Sequence, residues 1–229
     1  KTENLSPIFI EKFHNELIIK DNDLSKEFEK LYERIKPDYR FLTRSSIRLE
    51  GSRDSHAPGD YQLANIYTDC IRNETNVDFA VANSGGFRTS WSPGIITSVD
   101  LYNMFPFTTN IIKFKISGKD LIKLMKVVQE GQMAPYPISG FQVVLSNKKI
   151  VETRLREGIY IDENKMYTMA GNKFLINGGD DFSLVKDWFK PIDEQVVGVD
   201  REILEKCFAG YRQIDKNTNM GIKRIILVQ

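Results

Sequence analysis

The apolar run Val-Asp-Phe-Ala-Val-Ala at residues 77–82 stops abruptly on Asn83-Ser84-Gly85-Gly86. Such a short run, rich in β-branched and aromatic side chains and closed by glycines, reads as a strand buried on both faces. A strand of that kind belongs inside a sheet covered by other elements, and several neighbouring segments can supply them. Residues 110–116, 141–145, 166–171 and the closing stretch GIKRIILVQ read as further strands. So does the partly alternating stretch RFLTRSSIRLEG at 40–51, which runs into a polar loop, SRDSHAPGD, at 52–60.

Helices are marked by three- and four-residue apolar spacing. Leu63, Ile66, Cys70 and Ile71 share one face of a helix, with Asp60 placed near its positive end. Ser117 caps a second helix with Asp120 three residues on, and Leu121, Leu124, Met125 and Val128 form its apolar stripe. Asp200 opens a third through Ile203, Leu204, Cys207 and Tyr211. Upstream, residues 16–20 suggest a short strand. Asp23 can cap a helix through Leu24, Phe28, Leu31 and Ile35 that Pro37 stops. The expected fold is α+β, a mixed sheet with flanking helices. Residues 1–40 read as a lead-in and linker helix, and residues 41–229 as one domain.

The 229 residues carry 32 basic and 31 acidic side chains, a balance that gives no broad electrostatic footprint for nucleic acid or an anionic membrane. Lys148-Lys149 reads as solvated surface. No apolar stretch approaches the ~18 residues that would span a bilayer. The beginning, KTENLSPIFIEK, has neither an initiator methionine nor the order of a signal peptide, and suggests a processed or trimmed chain.

Histidine is scarce: His14 and His56 stand alone, outside any H-x-H, H-E-x-x-H or D-x-H grouping. No metal centre is expected within this chain, because catalytic centres draw on several imidazoles and carboxylates. Nor is there a G-x-S-x-G elbow for a serine nucleophile. Ser117-Gly118-Lys119 fails as a phosphate loop, since Lys113 occupies the position that needs glycine. Cys70 and Cys207 each lie in a helix-like apolar pattern and read as two buried thiols, with a disulfide between them as the alternative, leaving the redox compartment open.

Three segments could carry binding chemistry. In NSGGFR, 83–88, Gly85 and Gly86 let backbone N–H groups converge on an anion, and Arg88 can grip phosphate or carboxylate with two donors. The same residues also suit a tight turn with a surface arginine. In NKFLINGGDDF, 172–182, Phe174 precedes Asn177-Gly178-Gly179 and Asp180, whose carboxylate can accept from paired ribose hydroxyls or simply close a turn. In FPFTTN, 105–110, Phe105 and Phe107 flank Pro106 just before a strand. One ring in the core and one on the other face is expected, and an outward ring could stack on a base, although core packing is the favoured reading of this segment alone.

Taken in order, L-x-N-I at 63–66, NSGGFR, a Pro-Phe before a strand, S-G-K-D-L and NKFLINGGDDF resemble the C-terminal domain of the 5'-nucleotidase/UDP-sugar hydrolase family. The resemblance runs from about residue 60 to the final K-R-I strand and, more weakly, back through residues 24–35, which look like that family's interdomain helix. It implies that Phe107 and Phe174 sandwich a base, that Asp180 accepts from the ribose, and that Asn83, Gly85, Gly86 and Arg88 face the substrate. One departure stands out: Ala57 occupies the position where the family commonly has an arginine, a change expected to weaken phosphate or ribose contacts.

By the same resemblance the domain recognises a nucleoside or nucleoside monophosphate. A separate N-terminal metallophosphatase domain would hold two divalent metals, Zn or Mn, and carry out hydrolysis. This chain alone is expected to be inactive and to bind no metal. The resemblance also implies an extracytoplasmic setting, and no nucleic-acid partner or membrane span is expected. The alternative is a non-catalytic descendant acting as a binding or structural subunit of a larger assembly.

Overall fold

The computed structural model describes residues 26–27, 30, 39–51, 61–132, 135–155, 159–218 and 223–228. The chain divides into two compact units, Lys1–Arg40 and Phe41–Gln229. In the first, Lys26, Glu27 and Lys30 are described as helical. The expected strand at 16–20, most of the linker helix, His14, His56, Ala57 and the 52–60 loop lie outside the described residues.

The second unit runs β1 (Phe41–Ser45), α1 (Gln62–Thr75), β2 (Phe79–Val81), β3 (Gly94–Thr97), α2 (Ser98–Met104), β4 (Asn110–Ser117) and α3 (Gly118–Gln129). It continues through β5 (Ile138–Ser139), β6 (Phe141–Ser146), β7 (Lys149–Leu155), β8 (Met166–Asn172), the single turn α4 (Lys173–Ile176), β9 (Ile192–Val199), α5 (Asp200–Gly210) and β10 (Ile225–Val228). A five-stranded sheet in the order β5-β2-β8-β4-β9 is the frame, and β2 and β8 are its parallel pair. Strands β10-β6-β7 form a second sheet, and β1 pairs with β3 in a ribbon.

The two-residue period of β2 explains why the sheet is covered on both sides. Ala80 and Ala82 face a core containing Leu63, Ile66, Tyr67 and Cys70 of α1 with Leu204 and Phe208 of α5. Phe79 and Val81 face a second core containing Leu121, Leu124, Met125 and Val128 of α3. Small alanines let α1 approach closely on one side, while the larger residues fill the other. The Ser117 cap also forms as expected, its Oγ accepting from the Asp120 N–H at 3.1 Å.

Two readings need correction or extension. Cys70 and Cys207 are not free thiols: they form a disulfide with S–S 2.05 Å and Cα–Cα 5.6 Å. Each apolar face was legible, but the packing of α1 against α5 that brings the sulfurs together is not a local property. Lys148 sits in the tight β6–β7 turn with Asn147, both at positive φ. Lys149 leaves that turn to pair with Glu130 at 2.9 Å. Among the described residues no helix is long and apolar enough to cross a membrane.

Candidate functional site

Parallel pairing of β2 with β8 sets Val81 opposite Gly171, so both strands end at the same edge of the sheet. The glycine-bearing segments after them, 89 residues apart at Asn83 and Asn172, therefore leave the sheet side by side. Strand β4 runs antiparallel to β8 and begins at that edge, Ile111 opposite Asn172. Its lead-in, residues 105–109, completes the third wall. Ligands commonly bind at the carboxyl ends of parallel strands, where loops and free backbone groups converge.

On the first wall, Ser84–Gly86 makes a short 3₁₀ turn, closed by the Gly86 N–H on the Asn83 carbonyl at 3.1 Å. A Cβ on Gly86 would lie 2.6 Å from Cε1 of Phe105, so only glycine lets the turn sit against that ring. Asn83 Oδ1 accepts from Asn172 Nδ2 at 2.8 Å, while Asn172 Oδ1 accepts from the Leu175 N–H at 2.8 Å and caps α4. One asparagine thus ties the two walls together and starts the turn that carries Phe174.

The two aromatics of FPFTTN divide into one buried and one exposed ring, which strand alternation would not produce, since residues two apart share a face. Residues 105–109 are not a strand, and the chain turns between the two rings. Phe105 is buried, stacked on Tyr67 with ring centroids 4.6 Å apart, whereas Phe107 is 69% exposed. The Arg88 guanidinium carbon lies 5.6 Å from the Phe107 ring centroid, a cation–π arrangement. Phe174 is 54% exposed on α4 and rests on the backbone of Gly179, whose N–H donates to the Phe174 carbonyl at 2.9 Å. Asp180 follows at φ 49°, an uncommon conformation that a short polar side chain tolerates. Its carbonyl accepts from Ser183 Oγ at 2.8 Å.

All seven residues singled out from the sequence (Asn83, Gly85, Gly86, Arg88, Phe107, Phe174 and Asp180) line one cleft of about 450 Å³. Phe105, Thr108, Thr109, Asn172 and Asp200 line it as well. Asn172 opens a quoted motif, but its bridging role needs the strand pairing. Asp200 was legible only as a helix start. It is almost fully buried, and burial pushes its carboxyl up against the pull of the Thr109 and Arg201 N–H groups. Burial, with the Asp200 charge nearby, likewise holds the Tyr67 hydroxyl well above its usual range.

The described residues contain no group of three His, Cys, Asp or Glu side chains able to hold a metal ion, and both cysteines are committed to the disulfide. The donor set around the cleft does not fit a dinuclear centre. What the cleft offers is stacking surface, a carboxylate acceptor, a guanidinium and open backbone.

The family model described as 5'-nucleotidase, C-terminal domain matches residues 41–187. Endonuclease YhcR of Bacillus subtilis (strain 168) is 26% identical over 210 residues, which cover 82% of this chain and 17% of that protein. Protein UshA of Escherichia coli (strain K12) is 28% identical over 163 residues, covering 69% of this chain and 29% of that protein. Among solved structures, the 5'-nucleotidase precursor from Thermus thermophilus superposes with TM-score 0.73 at 19% identity, over 91% of this chain and 44% of that one. The chain spans less than half the length of each of these relatives. The fold matches that of the solved neighbour, and the matched segment contains β2, β4 and β8 with every residue lining the cleft except Asp200: the chain belongs to the 5'-nucleotidase C-terminal domain family.

Proposed function

We propose that the cleft binds the nucleoside portion of a nucleoside monophosphate and presents its phosphate to a separate hydrolytic domain. The base stacks between Phe107 and Phe174, Asp180 accepts from the ribose hydroxyls, and Arg88 with the Ser84–Gly86 turn faces the anionic end. The observation that carries this reading is the exposure of two large rings in one cleft that also holds a carboxylate and a guanidinium. Core packing does not account for rings so exposed, and a flat π-face in a polar cleft suits a base. Recognition is this domain's part in that division of labour, a reading supported by the stacking rings, the carboxylate and the guanidinium that line the cleft. We further propose an extracytoplasmic setting, supported by the disulfide, which persists where thiols are not kept reduced.

Stacking contributes ~1–3 kcal/mol per base, and association and ordering costs offset much of it. The isolated chain should therefore bind adenosine or AMP in the high-micromolar to millimolar range. Titration followed by NMR shifts is the measurement. Phe174→Ala is expected to weaken binding about tenfold, matching the loss of ~1.4 kcal/mol of stacking. Asp180→Asn should narrow the difference between adenosine and its 2′,3′-dideoxy analogue. Absence of shifts at millimolar ligand, with the chain folded, would overturn the reading.

Gly179 allows a sharper separation of binding from folding. Its backbone, at φ −70° and ψ 155°, suits alanine, but a Cβ there would lie 2.5–2.7 Å from three atoms of the Phe174 ring. The half-exposed ring can swing aside at little cost to the fold. Gly179→Ala is thus expected to weaken adenosine binding severalfold while shifting stability by less than ~0.5 kcal/mol. Unchanged affinity would show that the ring's position over Gly179 does not matter for the ligand.

A further inference from the structure

We infer that Asp200, at the start of α5, is the positioning residue for the Phe107 side of the cleft. This rests on the nucleoside-binding reading and adds a determinant that neither the sequence motifs nor the family match assigns. The strap carrying Phe107 is short and is anchored at both ends to one helix terminus. At its far end, the Thr109 N–H donates to Asp200 Oδ1 at 3.2 Å and the Asp200 N–H donates to the Thr109 carbonyl at 2.9 Å. At its near end, Arg201 Nη2 donates to the Phe105 carbonyl at 3.4 Å, with the Arg201 guanidinium 4.7 Å from the Tyr102 ring of α2. Only Pro106, Phe107 and Thr108 lie between the anchors.

A capping role alone does not explain this carboxylate. The N-cap of α5 is Val199, and Asp200 Oδ1 is shared between the Arg201 N–H at 2.7 Å and the strap. Its other oxygen, Oδ2, is buried without a hydrogen-bond partner, as is the nearby Tyr67 hydroxyl. Burying a carboxylate with one oxygen unpaired is costly, whereas a helix start is served as well by an exposed serine or aspartate. What Asp200 supplies beyond that is a fixed acceptor for the Thr109 N–H, two residues along the chain from the exposed Phe107 ring. The helix itself is pinned to α1 by Cys70–Cys207, so the strap hangs from a rigid mount.

The test compares Asp200→Ala with Asp200→Asn in the full chain, by adenosine titration and by amide hydrogen exchange at residues 107–110. Asparagine keeps an oxygen for the Thr109 N–H, and alanine does not. Asp200→Ala is expected to bind adenosine about tenfold more weakly and to lose protection at Thr109, with β4 and β8 amides unchanged. Asp200→Asn should stay within about twofold of wild type on both readouts. A purely structural role would lower stability without changing the affinity of the folded protein. Equal affinity in wild type and Asp200→Ala would overturn the inference. So would an equal loss in both variants with the strap still protected, because the carboxylate charge would then be acting on the ligand directly. If Asp200→Ala does not fold, the wild-type Thr109 amide decides: core-like protection supports the anchor, and exchange at the rate of an open loop overturns it. Failure of wild type to bind adenosine would sink the nucleoside reading instead, while the exchange data would still test the mount.

Discussion

Replacing Arg224 with methionine is expected to destabilise the domain by about 3–5 kcal/mol, the range for removing one member of a buried ion pair. Arg224 stands just before β10 and is only 8% exposed. Its Nη1 donates to the carbonyls of Asn65 and Ile138 at 3.1 and 2.9 Å and to Thr68 Oγ1 at 3.0 Å. Its Nη2 reaches Asp69 Oδ2 at 2.7 Å. Asp69 Oδ1 in turn accepts from Ser139 Oγ, which also takes the Arg72 Nε–H. One guanidinium therefore joins α1, β5 and the last strand, which links the second sheet to the frame that holds the cleft. Methionine fills similar volume but leaves the Asp69 carboxylate and the Asn65 and Ile138 carbonyls short of donors. Urea unfolding monitored by circular dichroism gives the free energy. Combining Arg224→Met with Asp69→Asn should recover part of the loss, since no buried charge then remains unpaired. A loss below ~1 kcal/mol would place the pair with ordinary surface bridges and refute this account.

The K-R-I at the chain's end helped to identify the family, yet its arginine gave no hint of this network, whose partners lie 86 to 159 residues upstream. That contrast runs through the molecule. Elements with a strong one-sided or two-sided apolar pattern, such as β2, β4, α1 and α3, are legible because burial imposes the period directly. Strands β7 and β9 escaped notice because they are half-exposed edge strands, KIVETRL and IDEQVVGV, whose polar residues show no stripe. Helix α2 is seven residues long, too short for its spacing to register, although Thr97 and Asp100 form a full capping box. At the cleft, the glycines, rings and carboxylates could be singled out by type. Their convergence comes from the β2–β8 pairing, a non-local choice. Asp200 shows the limit most clearly: a carboxylate that opens a helix and one that also mounts a binding loop have the same local sequence.

Removing the Cys70–Cys207 disulfide is expected to lower stability by about 2–4 kcal/mol. The half-cystines are separated by 137 residues, so the cross-link closes most of the domain into one loop. In the chain-entropy account a loop of that size loses ~5 kcal/mol worth of denatured-state freedom, an upper figure because residual structure in the unfolded chain reduces it. The native state contributes little strain relief in return, since α1 and α5 are already packed through Leu63, Leu204 and Phe208. Cys70 is fully buried, so alanine rather than serine is the proper replacement there: a hydroxyl would add an unpaired polar group to the core. The measurement is urea unfolding of wild type with and without reductant, beside Cys70→Ala/Cys207→Ala. The dependence of free energy on urea should steepen without the cross-link, because the denatured chain then exposes more surface. Free energies, not midpoints alone, are therefore the quantities to compare. Reductant should weaken wild type once the bond is reduced in the unfolded state, and should leave the double variant unchanged. Equal stability of the oxidised and reduced proteins would remove the physical support that this bond lends to an oxidising compartment, because a fold indifferent to the cross-link can work as well where thiols stay reduced.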